Sequence, residues 1–449
     1  MIQVGSILGA YQIVAELKSG GMANLYLGER QGPAGFSRHV AIKAVKGHLS
    51  SHADFVRMFL DEGRIAARIH HPNVVRIEEL GQEQGLYYLV MEYVHGASMS
   101  EVLASLARKE RRFTPEAAVA IVAAAAAGLH AAHETVDERG EPLHVIHRDV
   151  SPQNILMGAL GEVKIIDFGI AKARDRLHVT DASGGLKGKL RYMAPEQLMR
   201  GEIDRRADIY ALGVVLWEML TMRRLFEGKS DAEVIRRIQQ GQYPPPGAFA
   251  DCPHELDAVV MDALARDPAD RPATAREFRQ RLRNAVPGAA SIEAGDLSAL
   301  LWGTVGEQLD QRASALPPGT AKTRDSIDLE QQPEDMIARL TAPVGRAFED
   351  ASTVPSTFVP PRIGHEMQPT PEYYFPEATP PPPVAALDRA SQPGSADHFA
   401  PPYQQPPMSH PPAAPQPQQP SNASSLMLVA LVGLLAGAAL VLGALLVFG

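Results

Sequence analysis

Four short stretches of this 449-residue chain gather side chains that suit one kind of chemistry. "HRDVSPQNIL" carries His147, Arg148 and Asp149, with Asn154 following, and "KIIDFGIAK" carries Asp167, Phe168 and Gly169. "HVAIKAV" holds Lys43, and "ELKSGGMANLYLGE" centres on Gly20 and Gly21. Glycine backbone can approach a phosphate closely, with no Cβ in the way. Carboxylate and amide oxygens are the hard ligands that Mg²⁺ takes while it retains water. A lysine supplies a cation, and a carboxylate can accept the proton of a hydroxyl. Such a set handles phosphate. Taken singly, each piece has a plainer reading: a Gly-Gly turn joins hairpins, Lys43 is a solvated lysine on an amphipathic strand, and Asp149 is a helix cap.

The elements that must position these residues change character along the chain. "YQIVAEL", "NLYLGER", "HVAIKAV" and "LYYLVMEYV" read as strands, rich in β-branched and aromatic residues. After Glu92 the pattern turns helical, most clearly in "PEAAVAIVAAAAAGLHAAHE" and "RADIYALGVVLWEMLT". Strands followed by helices predict an α+β fold with two lobes. Apolar residues make up 45% and charged residues 21%, enough to build a core. The net charge of −9 argues against a nucleic-acid binder. The single cysteine, Cys252, forms no internal disulfide or cysteine-based zinc site and fits a reducing compartment. The N-terminus "MIQVGSILGAYQ" lacks the basic and apolar runs of a signal peptide.

From 286 to 425 proline, glutamine, serine and alanine dominate, and such a segment reads as a mostly disordered tether. A short helix is compatible with its opening "SIEAGDLSALLWGTVGEQL". The run Pro380 to Pro383 reads either as a docking site for a proline-recognition domain or as a passive spacer. From Leu426 to Gly449 there is no charged residue, so 426–448 is expected to span a membrane as one helix. A buried soluble helix and a removable lipid-anchor signal share that composition. Gly433 and Gly437 would let two spans pack closely as a homodimer, although glycine is frequent in spans anyway.

In order and spacing, these motifs and the Ala194-Pro195-Glu196 of "YMAPEQ" resemble the protein-kinase signature set. Over about residues 10–285 the chain is similar to bacterial eukaryotic-type (Hanks-type) serine/threonine protein kinases. The resemblance implies a bilobal protein-kinase fold, a β-rich N-lobe on a helical C-lobe. It implies transfer of the γ-phosphate of ATP to protein substrates, with Mg²⁺ or alternatively Mn²⁺. Lys43 would hold the α and β phosphates, aimed by Glu62, while Asp61 points to another helix face. Asn154 and Asp167 would bind the metal, and Asp149 would accept or orient the hydroxyl proton. Leu17, Gly20, Gly21 and Leu25 would cover the nucleotide. Ala41, Leu25 and Leu156 would sandwich the base, Met91 would back the pocket, and the Glu92 carbonyl and Val94 amide would contact adenine. Asp208 would brace the catalytic loop and Arg271 would pair with Glu196. Phosphorylation of Thr180 or Ser183 would bring a phosphate to Arg148. ATP being cytosolic, the kinase domain is expected on the cytoplasmic side of the cell membrane.

Four departures stand out. Lys18 and Ala23 occupy two glycine places of the nucleotide loop. Ser151 stands where the serine/threonine enzymes carry lysine, and Lys189 where they carry threonine. The expectation is an exchange, in which Lys189 supplies the ammonium from the opposite wall and Ser151 a small hydrogen-bonding group. The plainer alternative is a tolerated loss at Ser151 and a surface contact to acidic substrates at Lys189. A catalytically weak pseudokinase scaffold at the membrane is the rival to an active enzyme, and a third reading makes the proline-rich region the working part.

Overall fold

The computed structural model describes residues 2–33, 36–168, 188–199, 201–316 and 333–344. The first part is an antiparallel sheet of β1 (Ile7–Leu8), β2 (Tyr11–Ser19), β3 (Ala23–Gln31), β4 (Ser37–Val45), β5 (Ile77–Glu83) and β6 (Leu86–Glu92), in the order β1-β2-β3-β4-β6-β5. Between β4 and β5 run the single turn α1 (Gly47–Ser50) and the helix α2 (Ala53–Ala66). Side chains alternate along a strand, so β4 serves two cores at once. Val40, Ile42 and Ala44 join Tyr11, Ile13, Tyr26 and Val90 on one face. Ala41 and Val45 join Phe59 of α2, Leu89 and Met91 on the other. The same alternation puts Lys43 on the Ala41 face. Helix α2 docks there through Val56, Phe59, Gly63 and Ala66, the spacing of one helical stripe.

The second part is helical. β7 (Gly96–Ser98) leads into α3 (Met99–Arg108), whose start is fixed by a capping box between Ser98 and Glu101. After β8 (Arg111–Phe113) comes α4 (Pro115–His133), capped by Thr114. Helix α4 is long and apolar enough to cross a membrane, yet most of it is buried inside this body. β9 (Ile155–Gly158) and β10 (Val163–Ile165) form a small sheet with β7. Then follow α5 (Pro195–Leu198), α6 (Arg206–Thr221), α7 (Asp231–Gln240), α8 (His254–Ala263) and α9 (Ala275–Ala285). Of α6, only Arg206 is not buried, so the helix runs through the core. Its inward carboxylate Glu218 accepts from Tyr192 Oη at 2.7 Å and pairs with Arg224 at 3.1 Å.

The folded body does not stop at 285. Helix α10 (Ala294–Ser314), helix α11 (Pro333–Leu340) and strand β11 (Thr341–Pro343) continue it. β11 pairs antiparallel with β8, Thr341 opposite Phe113. Helix α10 lies against α3 and the small sheet. Trp302 Nε1 and Ser298 Oγ both donate to the carbonyl of Ala159, at 3.1 and 2.6 Å, and Ser105 Oγ donates to Thr304 O at 2.7 Å. Gly161, at φ +86°, meets the backbone of Ala294 so closely that a Cβ there would overlap Ala294 O. The expected tether therefore begins with packed structure. Leu297, Leu300, Leu301, Trp302, Val305 and Leu309 recur at helical spacing and are buried. The expected span 426–448 and residues 345–425 lie outside the described residues.

Candidate active site

The site begins with a turn. β2 and β3 are joined through Gly20, Gly21 and Met22, with Gly20 N donating to Ala23 O at 3.1 Å. A Cβ on Gly20 would sit 2.7 Å from that oxygen, whereas one on Gly21 meets nothing within 4 Å. Backbone proximity is thus required at one glycine and merely allowed at its neighbour. Lys18 and Ala23 lie in the ladder, Lys18 opposite Leu25 and Ala23 opposite Val45. A strand conformation demands no glycine, so both departures are accommodated. Leu17 is a partly exposed apolar side chain at the register shift between Glu16 and Lys18.

Below the turn, Leu25 faces Lys43 across the β3–β4 ladder and Ala41 faces Met91 across the β4–β6 ladder. Met91 and Ala41 are buried, and Leu156 is half-buried on β9. The Glu92 carboxylate accepts from Arg76 N at 2.8 Å and from Lys164 Nζ at 2.9 Å, which ties the end of β6 to both parts of the body. Val94 lies beyond the end of β6, where the chain crosses between them.

Lys43 Nζ contacts Asp167 Oδ1 at 2.7 Å. Burial pulls the ammonium down, but Asp167, Glu62 and Asp149 outweigh it and hold its pKa above the usual lysine range. Asp167 thus contacts Lys43 directly, and the charge of Glu62 acts on the same ammonium. The reason is position: Asp167 follows β10 with φ +57°, and that turn carries its carboxylate to the ammonium. Asp61 pairs instead with Arg64 one turn along α2.

The loop before β9 is organised around Asp208, at the start of α6. Its carboxylate accepts from His147 N and Arg148 N, both at 2.8 Å, and contacts His133 Nε2 at 2.8 Å. Burial favours the neutral acid, but His133, His147 and their hydrogen bonds outweigh it, so the pKa of Asp208 is lowered. Arg148 adopts φ +64°, a conformation costing about 1–3 kcal/mol for a residue with a Cβ. The Asp208 bonds hold that strain. His147 is buried, which depresses its pKa. Its Nε2 lies 3.0 Å from Ile166 O and its Nδ1 accepts from Asp149 N at 3.2 Å, the pattern of a neutral ring. Phe168 packs against this ring at 4.6 Å between centroids.

Asp149 is thereby fixed at the cleft. Asn154 Nδ2 donates to Asp149 O at 2.8 Å and to Asp149 Oδ2 at 2.9 Å. Using its amide hydrogens this way reserves Asn154 Oδ1 as an acceptor. Lys189 Nζ, from the turn Lys189–Tyr192, reaches Asp149 Oδ2 at 2.6 Å. Ser151 does not join them. It is buried, and its Oγ has no hydrogen-bond partner among the described residues, which corrects the small-group role expected of it.

No group of three or more His, Cys, Asp or Glu side chains able to hold a metal occurs among the described residues. Asn154 and Asp167 instead offer two oxygen-bearing side chains, a set that suits Mg²⁺ when waters and phosphate oxygens complete its shell. The Gly20 turn, Lys43 and these oxygens fit a magnesium nucleotide. Farther off, Arg271 makes two 2.8 Å bonds to the Glu196 carboxylate, both groups buried. Gly169, Thr180 and Ser183 lie outside the described residues. Sequence reasoning missed His133 and Lys164. The only signal for His133 was a polar residue near the end of an alanine-rich helix.

Residues 11–282 match the family described as protein tyrosine and serine/threonine kinase. The chain is similar to the tyrosine-protein kinase MasK of Myxococcus xanthus, 45% identical over 312 residues, covering 69% of this chain and 48% of MasK. It is similar to the serine/threonine-protein kinase PrkC of Bacillus subtilis, 34% identical over 280 residues, 62% of this chain and 41% of PrkC. It is also similar to the serine/threonine-protein kinase PknB of Mycobacterium tuberculosis, 31% identical over 318 residues, 68% of this chain and 48% of PknB. The chain spans less than half the length of each of these relatives.

Proposed function

The chain belongs to the protein tyrosine and serine/threonine kinase family, and from that premise we propose that it transfers the γ-phosphate of ATP to hydroxyls of protein substrates. The convergence of Lys43, Asp167, Asn154 and Asp149 carries the reading. Asp149 takes the proton of the acceptor hydroxyl as its oxygen bonds to the γ-phosphorus. The bond from that phosphorus to the β-phosphate oxygen breaks, and ADP leaves with the electron pair. Lys43 binds the α and β phosphates, and the Gly20 turn covers them. Asn154 and Asp167 would hold Mg²⁺, which would supply charge neutralisation of the phosphates. A silent scaffold has no need of this set.

Serine and threonine are the proposed acceptors, in keeping with the names of PrkC and PknB. One observation favours tyrosine: the relative at 45% identity is a tyrosine-protein kinase. Incubating the full chain with γ-labelled ATP, followed by phosphoamino-acid analysis, decides both points. Label is expected in protein and to fall about 10²–10⁴-fold in Asp149→Asn, with nucleotide binding kept. Equal labelling by the two proteins overturns the reading.

We also propose that residues 426–448 anchor the chain in the cell membrane, with the kinase body on the cytoplasmic side. The uncharged run supports this, and the pair Gly433 and Gly437 is compatible with a homodimer. Fractionation tests it: a full chain that stays soluble without detergent refutes the anchor.

A further inference from the structure

We infer that Lys189 is the cation that holds the transferred phosphoryl group beside Asp149, and that it is delivered from the segment leading into α5 rather than from the loop that carries Asp149. This deepens the phosphotransferase reading and rests on it. The carrying observation is the 2.6 Å contact from Lys189 Nζ to Asp149 Oδ2.

The chemistry requires a cation at this place. A phosphoryl group passing to an acceptor held by Asp149 brings negative charge towards that carboxylate, and the two repel unless a positive group stands with them. The loop itself offers none: from Asp149 to Asn154 it reads Asp-Val-Ser-Pro-Gln-Asn. Ser151 could not reach a substrate, being 2% exposed. Lys43 is engaged with Asp167. Lys189 sits at the right carboxylate, and its side chain remains 23% exposed. An ammonium carries three donors with no fixed fork, so it can hold Asp149 and a phosphate oxygen together.

The seat of Lys189 is firm. Leu190 and Tyr192 after it are buried, and Tyr192 Oη donates to Glu218 of α6. Arg191 bonds the carbonyl of Phe226. The backbone that carries the cation is thus held to the helical core around α6. A kinase wired this way has its phosphate clamp only while the segment ending at Tyr192 is seated.

The test uses the full chain with Lys189→Met and Lys189→Arg. Two quantities are read: the rate of label transfer, and the affinity for a non-hydrolysable ATP analogue relative to ADP, both with Mg²⁺. Lys189→Met is expected to lower kcat about 10²-fold, as for loss of one charge-stabilising donor. The preference for the analogue over ADP should fall with it, while ADP affinity holds. Lys189→Arg should keep much of both quantities. The inference is overturned by near-normal turnover of Lys189→Met, by an unmoved analogue-to-ADP ratio, or by an equal loss of ADP binding. If the unaltered chain transfers no phosphate at all, the phosphotransferase reading fails. The affinity ratio still decides the place of Lys189.

Discussion

Replacing Trp302 should separate the contribution of α10 from that of the rest of the body. Trp302 is 2% exposed, its ring centroid lies 6.3 Å from that of His95, and its Nε1 donates to Ala159 O. Truncation to alanine removes a large buried ring and leaves a cavity, a change that costs about 3–5 kcal/mol. Trp302→Phe keeps much of the packing but loses the hydrogen bond. Ala159 O still accepts from Ser298 Oγ, so no buried carbonyl is stranded. The phenylalanine change should therefore cost only about 1 kcal/mol. Urea unfolding of the full chain, followed by circular dichroism, measures both. The chain has two tryptophans, so in either variant the fluorescence of Trp217, buried in α6, reports the helical core alone. Backbone hydrogen exchange should rise over α10 and at His95 to Ser98 in Trp302→Ala. A loss below about 1 kcal/mol in Trp302→Ala, or unchanged exchange over α10, refutes the reasoning.

Two further outcomes follow from the site. Gly20→Ala forces its turn open and should raise the KM for ATP about tenfold, from an overpacking cost of about 1–3 kcal/mol, while Gly21→Ala stays near normal; equal effects in steady-state kinetics would contradict the geometry. Burial lowers the pKa of His147, His71 and His130 from the ordinary histidine value of 6.5. The unfolded chain then binds protons that the folded chain does not, so stability should fall as pH drops below that value, and denaturant midpoints that stay flat or rise on acidification would count against it.

Much of the site was legible because its motifs are local. Asp149 and Asn154 sit in one short loop, and Lys43 is aimed by the two-residue alternation of β4. The partner of Lys43 was less legible: its ammonium meets Asp167, 124 residues away, and Glu62 adds its charge. The contact of Lys189 with Asp149 followed from two substitutions read as one exchange, whereas the buried hydroxyl of Ser151 has no hydrogen-bond partner among the described residues. Helix α10 was legible only as a short helix at the opening of the tether, not as part of the packed body. Its apolar residues from Leu297 to Leu309 lie on several faces, and the surrounding proline-rich composition diluted them further. The β8–β11 pairing joins three-residue strands, too short to show a period.

The seating of α10 also sets an order of assembly. Ser105 and Thr304, which it joins, lie 199 residues apart in the chain, and Arg312 reaches Glu101 across 211. A ribosome releases the N-terminal end first, and domains fold largely as they emerge. The surface of α3 that receives α10 must therefore wait, uncovered, through the synthesis of everything from β8 to α9. Closing so long a loop draws heavily on chain entropy before any contact repays it. During that interval Glu101, Ser105, Lys109 and the carbonyl of Ala159 lack the partners that α10 supplies. A nascent chain stalled before residue 294 would expose this surface, and chaperone capture should be strongest at that length.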